Sequence, residues 1–278
     1  VLQGADVMVE VPGAWVFVSE HVPARHVGFA CGVLTGGLTA GILLGSLIAE
    51  AVQHVYSAAD MLRWAWRLPF LIGGVFGFLA VLLRRYLAET PVFEEMRRRQ
   101  ALESGLPLAT VLRGHRSSVI VSMLLTWMLT AAIVVLILML PALMPRLFDI
   151  GAVAALRANV AATLALTLGC VAFGVAVDRI GLARTLGIGS VALAASTYAL
   201  FLGLAAGTAH LVALYALTGF CVGMVATVPV AMVRAFPPAV RFSGISFAYN
   251  VAYAIFGGLT PLAVTLWLHG ARMAPAHY

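Results

Sequence analysis

The chain has 278 residues, of which 62% are hydrophobic and only 10% charged, with a mean hydropathy of +1.02. Ordinary soluble domains carry roughly 45 to 50% apolar and about 25% charged residues, so a water-soluble globular enzyme is excluded, as are a coiled coil, a disordered tail and a disulfide-stapled secreted module. The net charge is +6, and all 17 basic residues are Arg.

A bilayer core about 30 Å thick needs roughly 20 mostly apolar residues per helix. Eight segments qualify in chain order, near residues 1–18, 27–49, 67–83, 117–140, 158–177, 186–206, 211–233 and 245–268. They lack the period-2 alternation of a membrane barrel, and backbone groups in lipid must be satisfied within the segment, so the spans are helices. The expected fold is an all-α polytopic membrane bundle of about eight transmembrane helices.

Arg residues are unevenly shared between the loops. Twelve fall on one set of alternating loops, including Arg84, Arg85, Arg97, Arg98, Arg99, Arg113 and Arg116, and five on the other. The positive-inside rule places the first set in the cytoplasm and both chain ends outside. Orientation thus accounts for the net charge, without a nucleic-acid partner. Cys31, Cys170 and Cys221 fall in separate spans and are expected as free buried thiols. No His or Cys spacing suits a metal, no nucleophile is paired with a base, and no cofactor is implied: the chain is not expected to be an enzyme. Trp127, Thr126 and Thr130 are expected to pack in the core.

Val1 stands where an initiator Met would, and the apolar run begins at once, so these residues read as the middle and end of a longer chain. Two loops resemble each other, Pro23, Arg25 and Gly28 after the first span and Pro238, Arg241 and Gly244 after the seventh. A six-span offset is what two six-helix halves produce. Residues 1–83 are then expected to close an N-terminal half, 84–116 to be a cytoplasmic link with a helical run from Pro91 to Glu103, and 117–278 to form most of a C-terminal half.

Six blocks carry a resemblance to a known family: Leu2-Gln3-Gly4 with Glu10; Glu20-His21-Val22-Pro23 with Gly28; Trp66 to Leu71; Glu89-Thr90-Pro91-Val92-Phe93; Asp178-Arg179-Ile180-Gly181; and Tyr249 to Gly258, reading YNVAYAIFGG. In this order they resemble the metabolite:proton symporters of the major facilitator superfamily, which include proline/betaine, α-ketoglutarate, citrate and shikimate permeases. The resemblance implies spans four to eleven of a twelve-helix fold. It also departs from the family at Met8, Val9 and Pro12, at Val27, at Arg234, and at Leu182-Ala183-Arg184.

Asp6 and Glu10 are four residues apart and so share a helix face, with Glu10 about 14 Å along the span. A carboxylate in hydrocarbon is costly and is kept where it faces a cavity, pairs with a cation or carries a proton, and two neighbouring carboxylates raise each other's proton affinity. Glu10, Asp6 and Gln3 are therefore the expected proton-coupling and cavity residues. Tyr249, Asn250 and Tyr253 offer phenol and amide groups able to hydrogen-bond a carboxylate or zwitterion. Gly174, Asp178, Arg179, Gly181 and Arg184 fit the superfamily's GxxxDRxGxxR loop, which implies gating contacts made in one access state and broken in the other.

The function implied is proton-coupled symport of a small organic acid or zwitterion by alternating access, in a multi-pass protein of a bacterial cytoplasmic membrane. Its partners are that solute, protons and the lipid bilayer, and it acts as a monomer. The alternative is a truncated, non-transporting membrane protein, either a remnant or a scaffold.

Overall fold

The computed structural model describes residues 2–84, 107–207, 210–268, 271 and 273–278; the side chains of residues 2–10, 49, 53, 58, 84 and 107–109 are outside the description. The expected link helix from Pro91 to Glu103 and the Arg97–Arg99 run lie outside the described residues, as do the side chains of Gln3, Asp6 and Glu10.

The described chain is helical from end to end. Helix α1 spans Leu2–His21, α2 Val27–Val55, the short α3 Ala58–Arg63, and α4 Leu68–Arg84. From residue 107, α5 covers Pro107–Gly114 and α6 Arg116–Ala131, which runs through a wider π-helical stretch, Ala132–Met139, into α7, Leu140–Phe148. Helices α8, Ala152–Ile180, and α9, Leu182–Ala206, follow. Next come α10, Leu211–Val222, and α11, Thr227–Ala235, joined by a 3-10 turn over Gly223–Ala226. Helix α12 spans Pro238–Leu268, and the short α13 spans Ala274–His277.

Seven helical runs among the described residues are long and apolar enough to cross a bilayer, and α1 occupies the place of the remaining expected span. Several boundaries differ from expectation, with α2 running to Val55 rather than 49 and α8 beginning at Ala152 rather than 158, and two further differences involve prolines. The expected 117–140 span continues through Pro141 and Pro145 to Phe148, forming a 33-residue run from Arg116 that ends where Asp149 turns left-handed (φ 53°). The last span begins at Pro238 rather than 245, which brings Arg241 into the helix. Prolines are admitted in the first turn of a helix, where the missing N–H is one of the unpaired donors anyway.

Pro141 also explains the π-helical stretch. The Leu140 N–H reaches back five residues to the Val135 carbonyl. In that register the Leu136 carbonyl would accept from residue 141, and proline has no N–H to give. The Tyr215 hydroxyl of α10 donates to the Leu136 carbonyl instead, across the core.

Packing between helices is close wherever glycines meet. A Cβ on Gly28 of α2 would lie 2.5 Å from the Gly174 carbonyl oxygen and 2.6 Å from Asp178 Oδ1, and one on Gly174 of α8 would lie 2.5 Å from the Gly28 carbonyl. No larger residue fits that crossing, and small residues at such positions let helices approach in lipid, where no hydrophobic force drives them together. Helix α8 is the central strut, flanked by α2 on one side and α10 on the other, while α12 packs along α6 and receives α1. By contrast α4 leaves Phe70, Leu71, Val75 and Phe78 exposed, an apolar surface suited to lipid or a further helix. Cys31, Cys170 and Cys221 are free and buried, as expected.

Candidate substrate and gating site

At the Arg-rich end the elements are tied by two polar contacts. The Asp178 carboxylate, near the end of α8, accepts the Gly28 N–H at 2.8 Å through one oxygen and the Phe29 N–H at 2.7 Å through the other. These amides belong to the first turn of α2, whose N–H groups have no intrahelical acceptor and carry the positive end of the helix dipole. Behind this cap Val27, Cys31, Val177 and Val230 form a small apolar plug, with Val22 and Leu182 against it. The second contact is an ion pair, Arg241 Nη1 of α12 to Glu20 Oε1 of α1 at 2.8 Å, the two side chains being 16% and 7% exposed. Arg241 also donates to the Phe236 carbonyl at 3.3 Å, which orients its guanidinium.

Of the loop residues named from the GxxxDRxGxxR pattern, Gly174 and Asp178 join this contact. Gly181 ends α8 with φ 89°, a conformation glycine adopts without strain, and so fixes the turn into α9. Arg179 and Arg184 are exposed and make no hydrogen bond or ion pair among the described residues.

Deeper in the bundle, α1 and α12 meet through aromatic rings. Trp15, 1% exposed, stands edge-on to Tyr249 with centroids 5.1 Å apart, and Tyr249 lies 5.5 Å from Tyr253. Ser246, Tyr249, Asn250 and Tyr253 form one stripe of α12, because residues three and four apart share a helix face. Helix α6 presents Ser122, Thr126 and Thr130 with the same spacing, all fully buried. Gly257 leaves room there, since a Cβ on it would sit 3.4 Å from the Tyr253 ring and 3.7 Å from Thr130 Cγ2. Trp15 Nε1, Ser246 Oγ, Asn250 Oδ1, Ser122 Oγ and Thr130 Oγ1 are buried without a hydrogen-bond partner among the described residues.

Trp15 and the Thr stripe were not singled out as ligand groups from sequence. A lone indole in an apolar helix looks the same whether it faces lipid or core, and a mid-span Thr usually bonds its own helix. The one available signal was spacing: Trp15 lies five residues beyond Glu10.

A second polar track crosses the core between α2, α8 and α10. The Thr39 and Thr167 hydroxyls are 3.1 Å apart, Thr167 donates to the Thr163 carbonyl at 3.1 Å, and Thr163 donates to the Asn159 carbonyl at 2.8 Å. The Asn159 side chain lies 2.8 Å from the Tyr215 hydroxyl oxygen. A phenol has one proton, which here goes to Leu136; the Asn159 amide satisfies the contact by turning its NH2 toward the phenol oxygen.

A cavity of about 480 Å³ opens elsewhere, between α6, α9 and the tail. Trp127 lines it, stacking on Phe256 at 4.9 Å and donating to the Tyr278 hydroxyl at 3.0 Å, while His277 meets Tyr198 at 2.9 Å. Core packing thus describes Thr126 and Thr130 but not Trp127. Tyr249, Asn250 and Tyr253 are not among the residues lining this cavity.

The family model of the Major Facilitator Superfamily matches residues 1–267. Among curated relatives, the ectoine/proline transporter of Corynebacterium glutamicum is 28% identical over 297 residues, covering all of this chain and 58% of its own length. The proline/betaine transporter of Escherichia coli K12 is 28% identical over 293 residues, covering 99% of this chain and 57% of its own length. The chain therefore spans somewhat under three fifths of these relatives. With seven described bilayer-length helices and a family match over nearly its whole length, the chain belongs to the Major Facilitator Superfamily of transporters, as a multi-pass protein of the bacterial inner membrane.

Proposed function

We propose that the chain works in proton-coupled symport of a small zwitterion or organic acid, by rocking of two helical halves about a site near mid-membrane. The observation that carries this reading is the pair of contacts at the Arg-rich end. Asp178 on α8 holds the first turn of α2, and Arg241 on α12 holds Glu20 at the end of α1. Under the expected division each contact joins one half to the other, so both are made with the cytoplasmic side closed and broken when it opens. Gly174, Gly181, Arg179 and Arg184 serve the same gate, the glycines through approach and turn and the arginines through acceptors met in the open state.

Glu10, with Asp6 and Gln3 along the same helix, is the proposed proton carrier, and Tyr249, Asn250 and Tyr253 line the solute path. The relatives named for proline, ectoine and betaine favour a zwitterion over a dicarboxylate. The test is uptake of labelled proline, glycine betaine and α-ketoglutarate into proteoliposomes under an imposed inward proton gradient, for the native protein and Glu10→Gln. Gradient-driven uptake that Glu10→Gln abolishes supports the reading. Uptake indifferent to the gradient refutes proton coupling, and absence of uptake from correctly inserted protein favours a non-transporting scaffold.

A further inference from the structure

The meeting of α1 and α12 combines three features that a packing interface alone does not call for. Trp15 is buried with its indole N–H unpaired among the described residues, and an indole N–H can only donate. Ser246 Oγ and Asn250 Oδ1, on the facing stripe of α12, are likewise buried without a partner among the described residues. The rings of Trp15, Tyr249 and Tyr253 are held in a continuous aromatic row, with centroids 5.1 and 5.5 Å apart. Leaving buried donors or acceptors unsatisfied costs stability, so each such group calls for an explanation, and a bound solute supplies one.

We infer that Trp15 is a specificity-determining residue for a zwitterion: its indole N–H, with the Ser246 hydroxyl, anchors the carboxylate, while Asn250 Oδ1, an acceptor, and the faces of Tyr249 and Tyr253 receive the ammonium pole. This rests on the proposed transport of small zwitterions. The chemistry of the two poles fits. Neutral N–H and O–H donors bind a carboxylate without introducing a buried counter-charge, and aromatic faces attract a quaternary or secondary ammonium that has few N–H groups of its own to satisfy. A dicarboxylate would call for a guanidinium, and the nearest on this helix, Arg241, is already held by Glu20 and the Phe236 carbonyl.

Edge-to-face contact between Trp15 and Tyr249 is then the solute-free arrangement. A solute entering between α1 and α12 takes the place of that ring contact and satisfies the donors behind it.

The test is equilibrium binding of labelled glycine betaine and of α-ketoglutarate to the full-length protein in nanodiscs, for the native protein, Trp15→Phe and Trp127→Phe. Trp15→Phe keeps an aromatic ring and removes the donor together with part of the ring volume, a loss of size that Trp127→Phe shares. Trp127→Phe removes an indole N–H that already has a partner inside the protein, Tyr278. The expected result is a Kd for glycine betaine raised about tenfold or more by Trp15→Phe, equivalent to about 1.4 kcal/mol, and changed less than about twofold by Trp127→Phe. An unchanged Kd in Trp15→Phe overturns the assignment, and so does tighter binding of α-ketoglutarate than of glycine betaine by the native protein. If Trp15→Phe does not purify as a monodisperse species, Ser246→Ala decides in its place, a severalfold weaker Kd supporting the carboxylate anchor and an unchanged one overturning it. Native protein that binds neither solute refutes the proposed function itself, an outcome distinct from native binding that ignores Trp15.

Discussion

Asp178 and Gly28 are joined by a 2.8 Å hydrogen bond across 150 residues of chain, at a point where a Cβ on Gly28 would lie 2.6 Å from the same carboxylate oxygen. The glycine lets the helices touch, and the acid satisfies the amides that the touching helix end exposes. Hydrogen bonds to an ionised group contribute about 1.5 to 3 kcal/mol each, so this cap is a strong closing contact. Cys31, fully buried one turn further along α2, is a built-in reporter of opening. In a background with Cys170→Ala and Cys221→Ala, Asp178→Ala should speed maleimide labelling of Cys31 at least severalfold. Equal rates would show that the cap does not hold this end closed.

The crossing of α2 with α8 predicts a contrast between glycines. Gly174→Ala forces a methyl against the Gly28 backbone and should destabilise the protein by about 1 to 3 kcal/mol, as overpacking does. Gly41 lies on α2 away from this crossing, with nothing within 4 Å of an added Cβ, and Gly41→Ala should be neutral or slightly stabilising. Thermal unfolding in detergent reads both, and equal melting temperatures would contradict the close crossing.

Arg241→Gln takes from the largely buried Glu20 carboxylate its partner at 2.8 Å and should destabilise the protein. Glu20→Gln together with Arg241→Gln should cost less than the sum of the single changes. Strict additivity in this double-mutant cycle would mean that the 2.8 Å contact carries no coupling.

Tyr215 and Pro141 are linked through the Leu136 carbonyl. Tyr215→Phe leaves that carbonyl unpaired in the core and should destabilise by about 1 to 3 kcal/mol. In a Pro141→Ala background the helix regains an N–H at residue 141, and the same change should cost markedly less. An undiminished cost would refute the account of the π-helical stretch as a proline consequence.

Much of this was legible in the sequence because lipid imposes one rule, that each span be long, apolar and internally hydrogen-bonded. That rule locates the spans, and Gly174 and Asp178 stand out as a motif at the end of one of them. Boundaries were harder. Pro141 and Pro238 look like helix breakers, yet one is absorbed by a change of helical register, with Tyr215 pairing the carbonyl left over, and the other opens a helix. Trp15 was silent because an indole in an apolar run gives no sign of which helix it will face. Its meaning comes only from Tyr249, more than two hundred residues away in the chain.

The most direct test of the central claim is proton-gradient-driven uptake of labelled glycine betaine by the full-length protein in proteoliposomes, measured with and without the gradient. The expected result is accumulation above the external concentration that collapses when the gradient is dissipated. Equilibration to the external level regardless of the gradient, from protein that binds the solute, would contradict it.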